Sequence, residues 1–389
     1  MVSGRKGSWR FVALACVGVL LIAEGIVRSA PKTVDSSGPN GAQTLLQGHP
    51  SRIWSLIPGT NNNGLSTATI NALGLRGPKP VTPRPADTQR ILVLGDSAFF
   101  GHSVADQETL PYFLEAQLRD AGMKVEVINA GIPGYSILQG RELLNELAWD
   151  LEPTLLLLGF LWSDNNFETK SDREMLDARK AARFNPLTHS ALFLWGVEKL
   201  THSLRPDGQT IDWTTTTDSK PTAENQVRRV SLGDYAEALT ELLMEAQKRN
   251  AGVMMLAPTN LGQVSGETPR RHSSWMPYYD AQSDVAEAHG IPVFDILAAL
   301  QSANLPLNEL FVDKMHPTGR ANALIAEALV DSLTAAGWPT EALQARSNPN
   351  FDPRVREDPH ASGWSTPPPP EVRQPSPLDG LKGAGPGSN

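Results

Sequence analysis

The stretch Ile91-Leu92-Val93-Leu94-Gly95-Asp96-Ser97 decides how the rest of the chain is read. Four consecutive apolar residues, rich in β-formers and closed by Gly-Asp-Ser, have the pattern of a strand buried on both faces that stops at a tight turn. An open parallel sheet places its ligands at the carboxyl edge, where such turns lie. Ser97 is therefore a candidate nucleophile. Gly-Asp-Ser alone is equally the composition of a polar turn or helix cap. What answers it is Asp313-Lys314-Met315-His316-Pro317, more than two hundred residues later.

A serine hydroxyl is a poor nucleophile at neutral pH unless a base takes its proton as it attacks, and histidine titrates in the useful range. The base in turn needs a partner on its other ring nitrogen to fix tautomer and orientation. Asp313 and His316 are close enough in sequence for one irregular turn to bring them together, and Pro317 stiffens the loop that holds them. The pair follows the last strand pattern and precedes the last helix pattern. Both halves of the chemistry are thus expected on one sheet edge.

Between these stretches, strand and helix patterns alternate. Leu110, Phe113, Leu114 and Leu118 recur at helical spacing before a stop at Gly122, and Val125 to Ile128 is the next strand. It leads into the glycine-rich turn Asn129-Ala130-Gly131-Ile132-Pro133-Gly134, followed by a helix from Ser136 toward Ala148. Thr154 to Gly159 is a third strand, Leu232 to Ala246 a helix, Val253 to Ala257 a fourth strand. A helix from about Trp275 to Glu287, a strand at Pro292-Val293-Phe294 and a helix from Gly319 to about Ala336 complete the series. The expected fold class is α/β with a mostly parallel sheet.

The 389 residues divide into segments of different character. Residues 1–30 carry Arg5, Lys6 and Arg10 ahead of the apolar run Phe11 to Val27, which Glu24 interrupts near its outer end. This is the pattern of an N-terminal transmembrane helix with the amino terminus in the cytoplasm and the rest exported. Cleavage as a signal peptide at Ala23-Glu24-Gly25 is the alternative, giving a secreted protein. Residues 31–70 read as a flexible spacer and lead-in, and residues 71–340 as the globular domain. A long irregular insertion spans 167–230, with Ala191 to Val197 as an apolar helix inside it. Residues 341–389, Pro- and Gly-rich, read as a disordered tail.

A formal net charge of -8, without any basic cluster interleaved with aromatics, argues against a nucleic-acid surface. Cys16 is the only cysteine, so neither an intramolecular disulfide nor a cysteine-based zinc site is available. The histidines show no metal-binding spacing, and no nucleotide-binding glycine pattern follows a strand. No cofactor or metal is expected. Oligomeric state is not legible.

These motifs, in this order, resemble those of the SGNH/GDSL hydrolase superfamily over roughly Asn71 to Ala336. Gly95-Asp96-Ser97 matches its first block, and the run Ile91 to Val104 looks like the form found in bacterial membrane-anchored members. Asn129 to Gly134 resembles the second block and Asp313 to Pro317 the last. Leu73-Gly74-Leu75-Arg76-Gly77 is similar to a lead-in segment of the anchored members. The resemblance implies a flavodoxin-like three-layer α/β/α sandwich and acyl-ester chemistry. Ser97 would be the nucleophile, His316 the base and Asp313 its orienting partner, with the Ser97 and Gly131 amides in the oxyanion hole. The third block departs: where the family has Gly-x-Asn-Asp, this chain has Leu161-Trp162-Ser163-Asp164. Ser163 and Asn165 are rival replacements for the missing asparagine.

The implied function is an extracytoplasmic serine esterase that removes an acyl group, often acetyl, from a surface glycan or small ester. Two alternatives share its sequence. An acyltransferase would pass the same acyl-serine to a sugar hydroxyl instead of water. A glycan-binding protein would carry a vestigial triad, as the altered third block allows. Trp162, Trp275, Tyr278 and Tyr279 are candidates for stacking on a sugar ring, against an ordinary packing role. His102, close to Ser97 in sequence, reads as structural and not as a second base.

Overall fold

A computed structural model describes residues 17–20, 22–25, 45–183 and 226–355 of the chain. Two antiparallel hairpins come first, β1 (Leu46–His49) with β2 (Ile53–Leu56) and β3 (Gly59–Asn63) with β4 (Ser66–Ile70). The main sheet follows: β5 (Gln89–Gly95), β6 (Val125–Gly131), β7 (Leu155–Gly159), β8 (Gly252–Ala257) and β9 (Val293–Asp295). Its spatial order is β9-β8-β7-β5-β6, and every pairing is parallel. The winding therefore reverses between β5 and β7. In such sheets the crevice for ligands opens at that switch point, and Ser97 follows β5 directly into it.

The apolar runs fill both faces of the sheet. Leu92, Leu94, Leu156 and Leu158 belong to one core, with α2 (Ile137–Glu146), α3 (Leu232–Lys248) and α4 (Met276–His289) over it. Ile91, Val93, Leu155 and Leu157 belong to the other, covered by α1 (Leu110–Asp120) and α5 (Gly319–Ala335). All eight strand side chains are at most 1% exposed, and each contributes about 1.5–3 kcal/mol by burial. Register carries the edge across three strands: Gly95 pairs with Gly131 on one side and with Gly159 on the other. The carboxyl ends of β5, β6 and β7 are thereby level.

Three expectations about the flanks change. The lead-in taken as spacer up to residue 70 is structured from Leu45 onward, and Ile53, Leu56, Ala68 and Ile70 are buried in the first core. β2 is largely apolar but only four residues long, and β3 and β4 are built mostly of Asn, Thr and Ser, so the period-2 signal is weak. Gly64, at φ 68°, turns the second hairpin in a two-residue loop with Leu65. The chain then pairs Arg76 with Asn129, joining the lead-in to the outer edge of β6.

The insertion also begins and ends in regular structure. Phe167–Glu168 pairs with Val227–Arg228, and Asp172–Arg183 is a helix. Ser171 and Glu174 cap it reciprocally, a signature present in the sequence. The apolar stretch Ala191 to Val197 lies outside the described residues. Finally, the domain does not stop at 340. Leu343 and Ala345 are buried, the Leu343 carbonyl accepts from Val253, and Arg346 exchanges hydrogen bonds with His289. A few well-placed apolar residues on an extended strap suffice for this, without helical or strand periodicity. The rest of the expected tail, 356–389, is outside the described residues.

Among the described residues no helix is long and apolar enough to cross a membrane. The anchor expected over Phe11 to Val27 falls largely outside them; residues 17–20 and 22–25 are helical.

Candidate active site

Ser97 opens a one-turn helix, Ser97–Phe100, at the end of β5. Asp96 caps that turn, its side chain accepting from the Ala98 amide at 3.1 Å. Burial pushes the Asp96 carboxyl up to about 6, against the opposing pull of that hydrogen bond and of His316. The Ser97 carbonyl accepts from both Gly101 and His102, at 3.1 and 3.0 Å, which closes the turn.

The base arrives on the loop before α5. Asp313 Oδ1 accepts from the amides of Met315 and His316, at 2.7 and 2.9 Å, so its carboxylate first folds its own loop. Its other oxygen lies 2.7 Å from His316 Nδ1, and His316 Nε2 lies 2.8 Å from Ser97 Oγ. A proton on Nδ1, donated to Asp313, leaves the Nε2 lone pair to accept from the serine. Burial works against the Asp313 anion, yet the hydrogen bond from His316 and its charge, with those two amides, hold the carboxyl well below the usual carboxylate range. Lys314 and Leu261 tie this loop to the segment after β8. The three predicted triad residues therefore meet.

The expected oxyanion donors do not all hold. The Gly131 amide donates to Asn129 Oδ1 at 3.1 Å. A Cβ on Gly131 would stand 2.5 Å from the Phe100 nitrogen, so this glycine lets β6 approach the Ser97 turn and its N–H is already occupied. The next glycine offers an alternative. The Pro133 carbonyl accepts from Trp54 Nε1 at 3.1 Å, and in a planar trans peptide the Gly134 N–H points the opposite way. The Gly134 carbonyl accepts from Arg229 at 2.7 Å, and among the described residues the Gly134 amide has no acceptor.

Of the two rivals in the third block, Asn165 turns aside. Its side-chain amide donates to Ser274 Oγ at 3.2 Å and is fully enclosed. Ser163 stays beside the nucleophile turn, its amide directed to the Asp96 carboxylate. Asp164 caps α2, accepting from the Ile137 amide at 2.8 Å, and burial pushes its carboxyl up to about 8.

Trp162, Tyr278 and Tyr279 are buried, so they pack the core and cannot stack on a sugar. Trp275 meets Trp162 edge-on with centroids 4.8 Å apart and stays partly exposed. Sequence reading passed over Arg76 as more than a motif letter. Its guanidinium donates to the carbonyls of Phe100, Gly101 and Val104 and to Asp106, and Asn63 adds bonds to Gly101 and Val104. The loop behind Ser97 is held from both hairpin and lead-in. His102, on that loop, sits with its ring centroid 4.6 Å from that of His316. Burial, with the charge of His316, lowers its pKa to about 4, so it is a neutral imidazole at physiological pH.

Residues 91–329 match the family model described as GDSL-like Lipase/Acylhydrolase. Among solved structures, a lipase/acylhydrolase from Enterococcus faecalis is 17% identical, with 64% of this chain and 96% of that one covered at a TM-score of 0.41. Axe2, an acetylxylan esterase from Geobacillus stearothermophilus, is 14% identical over 63% of this chain and 94% of its own, at 0.40. A two-domain esterase (CEX) active on acetylated mannans is 12% identical over 68% and 54%, at 0.41. Among curated proteins the sequence finds no match.

Proposed function

Because the chain belongs to the GDSL-like lipase/acylhydrolase family and is a carboxylic ester hydrolase of that type, we propose that Ser97, His316 and Asp313 carry the reaction through an acyl-serine. The observation that bears most weight is the continuous contact from Asp313 through His316 to Ser97 Oγ. Ser97 Oγ attacks the ester carbonyl while His316 Nε2 takes its proton. The developing oxyanion is met by the amides of Ser97 and Gly134, with the Ser163 hydroxyl as third donor. His316 then protonates the departing alkoxide as the ester C–O bond breaks, leaving the acyl group on Ser97. Water, deprotonated by the same nitrogen, releases the acid and restores the serine.

The reading includes a short acyl group, acetyl foremost, on a surface glycan or small ester. Trp275 is the side chain of the four aromatics that remains available to a sugar ring. The basic, then apolar, amino-terminal segment supports export, with the hydrolase domain outside the cytoplasm. Release of 4-nitrophenol from the acetate and butyrate esters, measured beside Ser97→Ala, tests the assignment. The expected result is serine-dependent turnover with acetate preferred. Full turnover by Ser97→Ala, or failure of a fluorophosphonate to label Ser97, would sink it.

A further inference from the structure

We infer that His102, Asp313 and His316 form an inhibitory site for a divalent transition ion of the Zn2+ class, which switches the enzyme off by engaging the imidazole that Ser97 needs. One ring nitrogen from each histidine and a carboxylate oxygen of Asp313 lie within 4.8 Å of one another. Bonds of about 2.0–2.2 Å to a tetrahedral zinc ion place its donors roughly 3.3–3.5 Å apart. The widest gap here therefore closes by about 1.5 Å, taken up largely by the exposed Asp313 side chain between two half-buried imidazoles. The Asp313 side chain is 47% exposed and that of His316 18%, so an ion has a path in.

The donor set is chemically apt. Two imidazoles and one carboxylate, with a fourth position open to water, are the ligands that zinc accepts. His102 is also held in advance: its amide donates to the Ser97 carbonyl at 3.0 Å, and Arg76 and Asn63 clamp the carbonyls of Gly101 and Val104 on either side of it. Its ring stands against that of His316 with an interplanar angle of 48°. The ester chemistry gives His102 no proton to move. A histidine on a clamped loop, facing the base and its carboxylate, has the makings of a ligand.

Occupation and turnover exclude each other. His316 uses Nδ1 for Asp313 and Nε2 for Ser97. An ion on Nε2 removes the proton acceptor; an ion on Nδ1 removes the contact that orients the ring. Either way Ser97 loses its base until the ion departs, and a chelator restores it.

The inhibition rests on the esterase reading, whereas ion binding does not, and the test separates them. The full chain, its Ser97→Ala form and its His102→Phe and His102→Gln variants are titrated with Zn2+ by calorimetry, with melting curves to establish that each is folded. The same proteins except Ser97→Ala are assayed with 4-nitrophenyl acetate in EDTA and in buffered Zn2+. We expect binding by the full chain and by Ser97→Ala, weakened at least about tenfold in both His102 variants, the scale set by loss of even an outer-shell partner. Inhibition reversed by EDTA, and the same displacement of the half-inhibiting concentration, are expected in turnover. Equal Zn2+ affinity with and without His102, or inhibition that ignores His102, overturns the site. Absence of turnover even in EDTA counts against the esterase reading, and calorimetry still decides the ion.

Discussion

The Arg76 guanidinium donates to the Gly101 carbonyl at 2.7 Å, across 25 residues of chain. Through this bond a residue of the lead-in holds the loop that ends the nucleophile turn. The same group serves the carbonyls of Phe100, Val104 and Thr67 and the Asp106 carboxylate from a buried position. Arg76→Ala removes these bonds at once, leaving Gly101 and Val104 to Asn63, Phe100 to Asn129 and Asp106 to the Thr69 amide. We expect a loss of about 1.5–3 kcal/mol in denaturant unfolding, with Arg76→Lys recovering only part because one ammonium cannot span the fork. A loss below about 1 kcal/mol, the ordinary size for a single substitution, would contradict the clamp.

Ser163→Ala removes the proposed third oxyanion donor and should lower kcat by up to about a hundredfold with KM little changed. Asn165→Ala, whose side chain faces Ser274, should stay within a few-fold of the parent. Steady-state kinetics on both variants decides between them. The reverse ranking would return Asn165 to the site.

Asp313→Asn keeps an oxygen for the loop amides but presents an NH2 group to His316 Nδ1, favouring the tautomer that cannot accept from Ser97. The expected drop in kcat is about a thousandfold or more, with the fold intact by circular dichroism. A variant within tenfold of the parent would show that His316 is oriented by something else.

Asp164 gives the pH dependence of stability a sign. Its carboxyl titrates near 8 in the fold, raised by burial from an ordinary 3.8. Between those values the unfolded chain has released a proton that the folded chain retains, so stability falls as pH rises through the window and levels off above it. Asp164→Asn keeps the acceptor for the Ile137 amide and removes the slope. Its melting temperature relative to the parent should climb from pH 5 to pH 8. A constant difference across that range would refute the shift.

The parallel sheet was legible because strands covered on both faces are written as unbroken apolar runs, as at Ile91 to Leu94 and Leu155 to Leu158. Ser97 was legible because it ends such a run, and Asp313 and His316 because they stand three apart just ahead of the last helix pattern. The hairpins from Leu46 to Ile70 were not. The second hairpin buries only Ala68 and Ile70 among Asn, Thr and Gly, and the largely apolar β2 is just four residues long. Gly131 was misassigned because a motif names a glycine without saying which way its amide points; the Asn129 side chain settles that only in three dimensions. His102 shows no metal-like spacing with His316, because the fold, and not the local chain, brings them within reach.

Ser97 and His316 stand 219 residues apart, with every strand of the sheet from β6 onward between them. A growing chain thus presents its nucleophile turn, its lead-in and every strand of the sheet before it has a base. A chain cut short before His316 lacks the base of the proposed triad. Topologies rich in contacts of such long separation fold slowly, and the site is complete only once the last loop has met the first strand of the sheet.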